Sequence, residues 1–175
     1  MAQALLVVDV LTGIFELPVP LHEPAAFVER VADLLARARQ AGVVIAHVQQ
    51  LGAEGSRFAP GGPTRAFHAA AAPLAGELVI EKGHPDAFHG TTVASVLRER
   101  GVTSLAICGF ASEFCVDASV RGAYANGFAV ELAADAHTTT RGAVLEAREA
   151  VAHHNWVLAS FARVVPAADV AFTAA

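Results

Sequence analysis

Apolar runs of strand length alternate with segments of helix length in this chain, and this alternation constrains the fold more than any other feature. The first run extends from Ala4 to Val10 with only Asp9 interrupting it, which indicates a strand buried on both faces. Further strands are predicted at 43–48, 77–81, 104–108, 128–132 and 161–165, with helices at 25–40, 91–100, 113–126 and 142–154. The sequence therefore predicts an α/β fold in which about six parallel strands carry helices on both faces.

The composition excludes several classes of protein. Apolar residues make up 54% of the 175 residues, which is enough to bury a core and excludes a disordered chain. The 12 Lys and Arg residues are outnumbered by 17 Asp and Glu residues, which leaves little for a basic face that binds nucleic acid. One domain spanning residues 1–175 accounts for the length.

The high apolar content favours a subunit interface over a membrane. No uninterrupted apolar run approaches the roughly 18–20 residues that span a bilayer. The first ten residues lack the basic start of a signal peptide, and Asp9 falls where such a peptide stays apolar. We therefore expect a cytoplasmic protein that binds neither membrane nor nucleic acid and whose excess apolar surface meets another subunit.

Three polar residues fall where predicted strands end. Asp9 closes the first strand, Lys82 follows the third, and Cys115 lies on the turn after the fourth. In an open parallel sheet, ligands bind outside the carboxyl ends of the strands, near the point where the strand order reverses. The three side chains are therefore expected at one edge of the sheet, where they would supply an acid or base, a cation and a nucleophile.

Cys115 is placed as a reactive thiol would be. Ser112 is a suitable N-cap for the following helix, which would make Cys115 the third helical residue. The helix dipole, free backbone N–H groups and a nearby Lys82 would each lower the pKa of a thiol there and favour the thiolate. The alternative is an inert core residue, a description that fits Cys108 in mid-strand.

Lys82 is the single lysine beside 11 arginines. A compact ammonium approaches a thiolate or carboxylate as a point charge, whereas a guanidinium is wide and planar. The surviving lysine is therefore a candidate for a site that arginine cannot fill, although chance survival of a surface lysine gives the same count. Asp9 is costly inside an apolar run without a partner. It could be a structural turn cap, or it would suit general acid–base work near Lys82 and Cys115.

Several other catalytic signatures are absent from the sequence. It contains no GxSxG, GxGxxG or P-loop motif, and none of its eight histidines belongs to an HExxH motif. Two cysteines are too few for a disulfide framework or a cysteine-based zinc site. We therefore expect neither a metal nor a cofactor.

The segments around the three residues resemble the isochorismatase-like cysteine hydrolase superfamily, in its metal-independent amidohydrolase branch. The resemblance is carried by Asp9 in LLVVDV, Lys82 in VIEKGHPDAF, and Cys115 in GFASEFCVDASVRGAYANGF, which contains a G-x-x-[ST]-x-x-C pattern. It extends from the first strand to about Asp135. The resemblance implies a Rossmann-like three-layer sandwich with a six-stranded parallel sheet, and a Cys-Asp-Lys triad.

The resemblance also implies details of the site. A cis peptide bond maps onto Phe110–Ala111, and an oxyanion hole maps onto the backbone N–H groups of Ala111 and Cys115. Most triad members hydrolyse C–N bonds in small amides and form dimers or larger oligomers, so we expect a homodimer or homotetramer. The region after His47 lacks the Asp-x-His of nicotinamidases, which argues against that activity.

These observations together predict a cysteine hydrolase that cleaves a C–N bond of a small amide through Asp9, Lys82 and Cys115, with a thioester intermediate. Two alternatives stay open. One is a vinyl-ether hydrolase of the isochorismatase type with Asp9 as general acid, and the other is an inactive binding protein of the same fold. Six side chains are candidates for the wall of the substrate pocket, and each could equally be core or interface: Phe15, Phe58, Phe67, Phe88, His89 and Phe114.

Overall fold

Six strands pair in parallel into one sheet in the computed structural model, which describes residues 1–174. The strands are β1 (Ala4–Val8), β2 (Val44–Gln50), β3 (Leu78–Lys82), β4 (Ser104–Phe110), β5 (Ala129–Thr138) and β6 (Arg163–Val165). Their order across the sheet is β3-β2-β1-β4-β5-β6, so the order reverses between β1 and β4. The predicted α/β fold with six parallel strands is confirmed.

Four helices cover the two faces of the sheet. They are α1 (Pro24–Ala41), α2 (Val93–Glu99), α3 (Asp117–Ala125) and α4 (Ala147–Leu158). Because successive side chains of a strand point to opposite faces, Leu5 and Val7 enter the apolar layer beneath α1, while Leu6 and Val8 enter the layer beneath the other three helices. Both faces of the central strands are therefore dry, as the continuous apolar runs predict.

Helix α1 forms because its apolar residues recur at helical spacing. Phe27, Val31 and Leu34 lie on one face and are almost fully buried. Burying each such side chain contributes roughly 1.5–3 kcal/mol. The helix ends at Gly42, whose φ of 67° allows its N–H to bond back to the carbonyls of the last turn.

Gly109 brings strand β4 close to the end of β1. A Cβ atom at this position would lie 2.0 Å from the carbonyl oxygen of Val8, and the φ of 132° is itself a glycine conformation. Only glycine permits this approach. The close approach places the turn that follows β4 beside the end of β1. This turn contains Cys115.

Several predicted boundaries differ from the observed ones. Strand β5 extends to Thr138, six residues beyond its predicted end, because its backbone continues to pair with β4 as far as Thr138. Helix α4 begins at Ala147 rather than at 142. Glu146 and Glu149 form a reciprocal capping box at this observed start. Within residues 1–174, no helix combines the length and apolar character that a bilayer span requires.

Candidate active site

Asp9 directly follows β1 and adopts a left-handed backbone conformation with a φ of 52°. Aspartate is among the few residues other than glycine that enter this region readily. Its N–H donates to the carbonyl of Val48 at 3.0 Å, so the residue stays fixed to the neighbouring strand β2. The side chain is almost completely buried at 3% exposure. A buried carboxylate is thus held at the carboxyl edge of the sheet.

Lys82 is the last residue of β3, and its ammonium group meets three acceptors. The Nζ atom lies 2.6 Å from Oε1 of Gln50 and 2.7 Å from Oδ2 of Asp9. It also lies 3.2 Å from Sγ of Cys115. Gln50 and Cys115 accept hydrogen bonds from the ammonium group, and Asp9 forms an ion pair with it. With 1% exposure, Lys82 holds the site together from inside the protein.

Cys115 lies in a single π-helical turn, Ser112–Val116, that joins β4 to α3. The turn begins after Ala111, whose carbonyl accepts bonds from the N–H groups of Phe114 and Val116, both at 3.0 Å. Ser112 is not the N-cap that the sequence predicts, because its hydroxyl group bonds to His137 instead. The peptide bond between Phe110 and Ala111 is cis, which is the geometry that the family resemblance implies.

The structure brings Asp9, Lys82 and Cys115 together, but it does not give Cys115 a lowered pKa. Burial and, secondarily, the negative charge of Asp9 raise the pKa of the Cys115 thiol to about 11 against the opposing effect of Lys82. The expected thiolate is therefore wrong for the resting site. The sulfur is a neutral thiol beside a carboxylate–ammonium pair.

Asp9 is suited to take the proton of that thiol. Burial raises the pKa of the Asp9 carboxyl group above its usual range, although the charge of Lys82 pulls the other way. Both carboxylate oxygens of Asp9 are buried, neither accepts a well-aligned hydrogen bond from a group within residues 1–174, and Oδ2 meets Lys82 as an ion pair. This carboxylate has an unused acceptor and an increased affinity for a proton, which are the properties of a general base.

Two features of the site escaped the sequence analysis. Gln50 pairs in register with Lys82 at the ends of neighbouring strands, a relationship that follows only from the alignment of β2 with β3. His137 is buried on β5 and bonds to Ser112, but the sequence placed it beyond the end of that strand. The available signal for Gln50 was its polar side chain at the end of an apolar strand.

The six candidates for the pocket wall have different surroundings. Phe15 packs against His68 with ring centres 4.6 Å apart, and Phe58 packs against the apolar layer beneath α1. Phe88 is 7% exposed and packs against Phe128, as a core residue does. The remaining three are Phe67, which is half-buried, and His89 and Phe114, which are exposed. Their place in a pocket wall stays a prediction.

Potential metal ligands do not cluster in this structure. Between residues 1 and 174, no group of three or more His, Cys, Asp or Glu side chains is arranged to hold a metal ion.

Comparison with known proteins places this geometry in a family. Residues 3–169 match the isochorismatase domain. The chain belongs to the isochorismatase family. A crystal structure of an isochorismatase from Pseudomonas putida KT2440 is 35% identical in sequence, covers 97% of this chain and 90% of its own, and superimposes with a TM-score of 0.90. The predicted family resemblance is confirmed.

Two relatives in this isochorismatase family have names that describe a reaction. A streptothricin hydrolase from Streptomyces noursei is 39% identical over 98% of this chain. A maleamate amidohydrolase from Pseudomonas putida is 34% identical over 71% of this chain and 67% of its own length. The chain spans 65% of the length of that streptothricin hydrolase.

Proposed function

We propose that this isochorismatase-family protein is a cysteine hydrolase that cleaves a C–N bond of a small amide. The observation that carries the proposal is the set of contacts around Lys82, whose Nζ joins Oδ2 of Asp9 at 2.7 Å to Sγ of Cys115 at 3.2 Å. A base, a cation and a nucleophile thus meet at the edge of the sheet. The similarity to a streptothricin hydrolase and a maleamate amidohydrolase supports the same class of reaction.

The first half of the proposed reaction transfers the acyl group of the amide to sulfur. Asp9 takes the proton from Cys115 as the sulfur attacks the amide carbonyl. No free thiolate has to form first, which matters because the pKa of the thiol is about 11. The oxyanion of the tetrahedral intermediate accepts hydrogen bonds from the N–H groups of Ala111 and Cys115. Asp9 then gives its proton to the departing nitrogen, the C–N bond breaks, and a thioester is left on Cys115.

The second half returns the enzyme to its starting state. Asp9 takes a proton from water as the water oxygen attacks the thioester carbonyl. The C–S bond breaks, the carboxylic acid leaves, and the proton on Asp9 returns to the sulfur of Cys115. One water molecule is consumed for each amide bond cleaved, and Asp9 acts alternately as base and acid.

Lys82 has an electrostatic role in this scheme. Its buried ammonium group already faces Gln50, Asp9 and Cys115 at 2.6, 2.7 and 3.2 Å, which leaves it little room to contact the substrate. Its positive charge stabilises Asp9 as an anion in the resting site and favours negative charge on sulfur when the thioester is displaced. Recognition of the substrate therefore falls to other residues around the edge of the sheet.

The proposal is tested by incubating the protein with a panel of compounds and following the loss of each by mass spectrometry. The panel contains maleamate and streptothricin, with nicotinamide and isochorismate for the activities that the proposal disfavours. We expect loss of at least one amide with the wild-type protein and none with C115A. Hydrolysis of isochorismate that survives in C115A would instead support the vinyl-ether reaction.

A further inference from the structure

A second chain of hydrogen bonds runs behind the nucleophile, and the proposed reaction makes no direct use of it. Oγ of Ser112 lies 2.8 Å from Nδ1 of His137, and Nε2 of His137 lies 2.9 Å from Oδ1 of Asn155. Nδ2 of Asn155 donates to the carbonyl of Ala134 at 2.9 Å. The chain thus connects the turn that carries Cys115 to β5 and α4.

The contacts fix the direction of every hydrogen bond in this chain. Since Nδ2 of Asn155 donates to Ala134, its Oδ1 faces His137 and can only accept, so Nε2 of His137 carries the proton. Burial lowers the pKa of His137 to about 4, so the ring is neutral and Nδ1 is an acceptor. The hydroxyl group of Ser112 must then donate to Nδ1.

The location of Ser112 gives this chain its significance. Ser112 is the first residue of the π turn and lies between Ala111 and Cys115, whose N–H groups form the proposed oxyanion hole. Both Ser112 and His137 are buried, at 0% and 3% exposure, so water does not readily replace their bond. The donated hydrogen bond therefore holds the backbone of the turn at a fixed distance from β5.

We propose that Ser112, His137 and Asn155 are positioning residues that hold the backbone N–H groups of Ala111 and Cys115 toward the oxyanion. This inference rests on the proposed cysteine mechanism and assigns three further residues to it. None of the three contacts the substrate in this account. Their effect is on the geometry of donors whose value depends on being preorganised before charge develops.

Two probes of Cys115 separate this role from a merely structural one. Acylation by 4-nitrophenyl acetate passes through a tetrahedral oxyanion, whereas alkylation by iodoacetamide displaces iodide without forming one. Loss of the oxyanion donors therefore slows the first reaction more than the second. Both second-order rate constants are measured on the full chain, with C115A to show that the label is on this cysteine.

The variant S112A removes the donor, and S119A is its matched control. Ser119 is also fully buried, and its hydroxyl oxygen accepts a hydrogen bond from the N–H of Ala87. It takes no part in the series of hydrogen bonds from Ser112 to Asn155. We expect S112A to lower the acylation rate constant about 10–100-fold, since loss of a whole oxyanion donor costs about 10²–10³ in rate. Its alkylation rate constant should change less than threefold, and S119A should change neither.

The variant N155A provides a second test at the half-buried far end of the chain, where a folding defect is a smaller risk. It should lower acylation selectively, and by less than S112A, because His137 can still accept from Ser112 but loses the partner that fixes its proton.

Equal acylation rates in wild type, S112A and N155A would overturn the inference. A parallel fall in both reactions would overturn it too, because it would place the effect on the thiol or the fold. Failure of the wild-type protein to be acylated at Cys115 would overturn the proposed function first and this inference with it.

Discussion

Gln50 and Lys82 end neighbouring strands in exact register, and the side-chain oxygen of Gln50 lies 2.6 Å from the ammonium nitrogen of Lys82. A neutral acceptor thus satisfies one proton of a buried lysine. A second carboxylate in its place would add a negative charge next to Asp9 and compete with it for Lys82. Gln50 therefore leaves Asp9 as the single charged partner of Lys82 among residues 1–174.

Replacement of Gln50 by leucine should expose this dependence. Q50L leaves one proton of the Lys82 ammonium group unpaired in a buried site, which costs about 1–3 kcal/mol and loosens its position against Asp9. We expect about a tenfold lower rate of acylation of Cys115 by 4-nitrophenyl acetate. The control is Q49L, since Gln49 is the preceding residue on β2, bonds instead to the carbonyl of Arg65, and should not affect the reaction. Equal effects of the two variants would contradict the assignment.

The charge of Asp9 has opposite effects on the two reactions of Cys115. D9N keeps the shape of the side chain and removes the negative charge that raises the pKa of the thiol, while the lowering effect of Lys82 stays. Alkylation of Cys115 by iodoacetamide at pH 7 should become at least threefold faster. The rate constant for acylation of Cys115 by 4-nitrophenyl acetate should fall about 10²–10⁴-fold because the general base is lost. If alkylation also slows, Asp9 does not raise the pKa of the Cys115 thiol, and the proposed charges of the resting site are wrong.

Gly109 is predicted to tolerate no side chain. G109A places a methyl group 2.0 Å from the carbonyl oxygen of Val8, a backbone atom that cannot move aside. We expect a loss of more than about 4 kcal/mol in the free energy of unfolding, or no folded protein. G127A is the control, because Gly127 also has a positive φ, of 83°, but no atom lies within 4 Å of its added Cβ. Its cost should be about 1 kcal/mol, measured by urea denaturation.

The stability of the fold should depend on pH through Glu77. Despite a burial cost, hydrogen bonds from Arg39, the N–H of Leu74 and His47 lower the pKa of Glu77 from its usual 4.5 to about 2. A depressed carboxyl pKa stabilises the folded state above pH 4.5, and this contribution disappears as the pH falls toward 2.

The variant E77Q should therefore be less stable than wild type at pH 7, by up to about 3 kcal/mol, and the difference should vanish near pH 2. The measurement is the urea midpoint as a function of pH. The control is E81Q, where the carboxylate is 54% exposed and pairs with Arg65 at the surface, and should change the midpoint little at any pH. A stability difference between E77Q and wild type that is independent of pH would contradict the assignment.

The sequence predicted the parts of the site that depend on strand ends. Asp9, Lys82 and Cys115 were located because apolar runs mark where strands stop, and parallel strands stop at one edge. The end of β5 could not be found this way. Its residues Asp135 and His137 are polar and look like a loop, and their hydrogen-bond partners, Ala167 for Asp135 and Asn155 for His137, come from distant elements.

The protonation state of Cys115 could not be predicted from the sequence for a related reason. The position near the start of a helix and the proximity of Lys82 both favour a thiolate, and both are visible in the sequence. The burial of the sulfur and the negative charge of Asp9 both raise the pKa of the thiol, and their combined effect is the larger one. Neither can be estimated until the chain is folded.

The most direct test of the central claim is the mass of the intact protein during turnover of an amide from the panel, stopped with acid. We predict a fraction of the protein with the added mass of the acyl group, located on the peptide that contains Cys115, and neither adduct nor turnover with C115A. Continued hydrolysis of the same amide by C115A would contradict the account, because no thioester could then lie on the path.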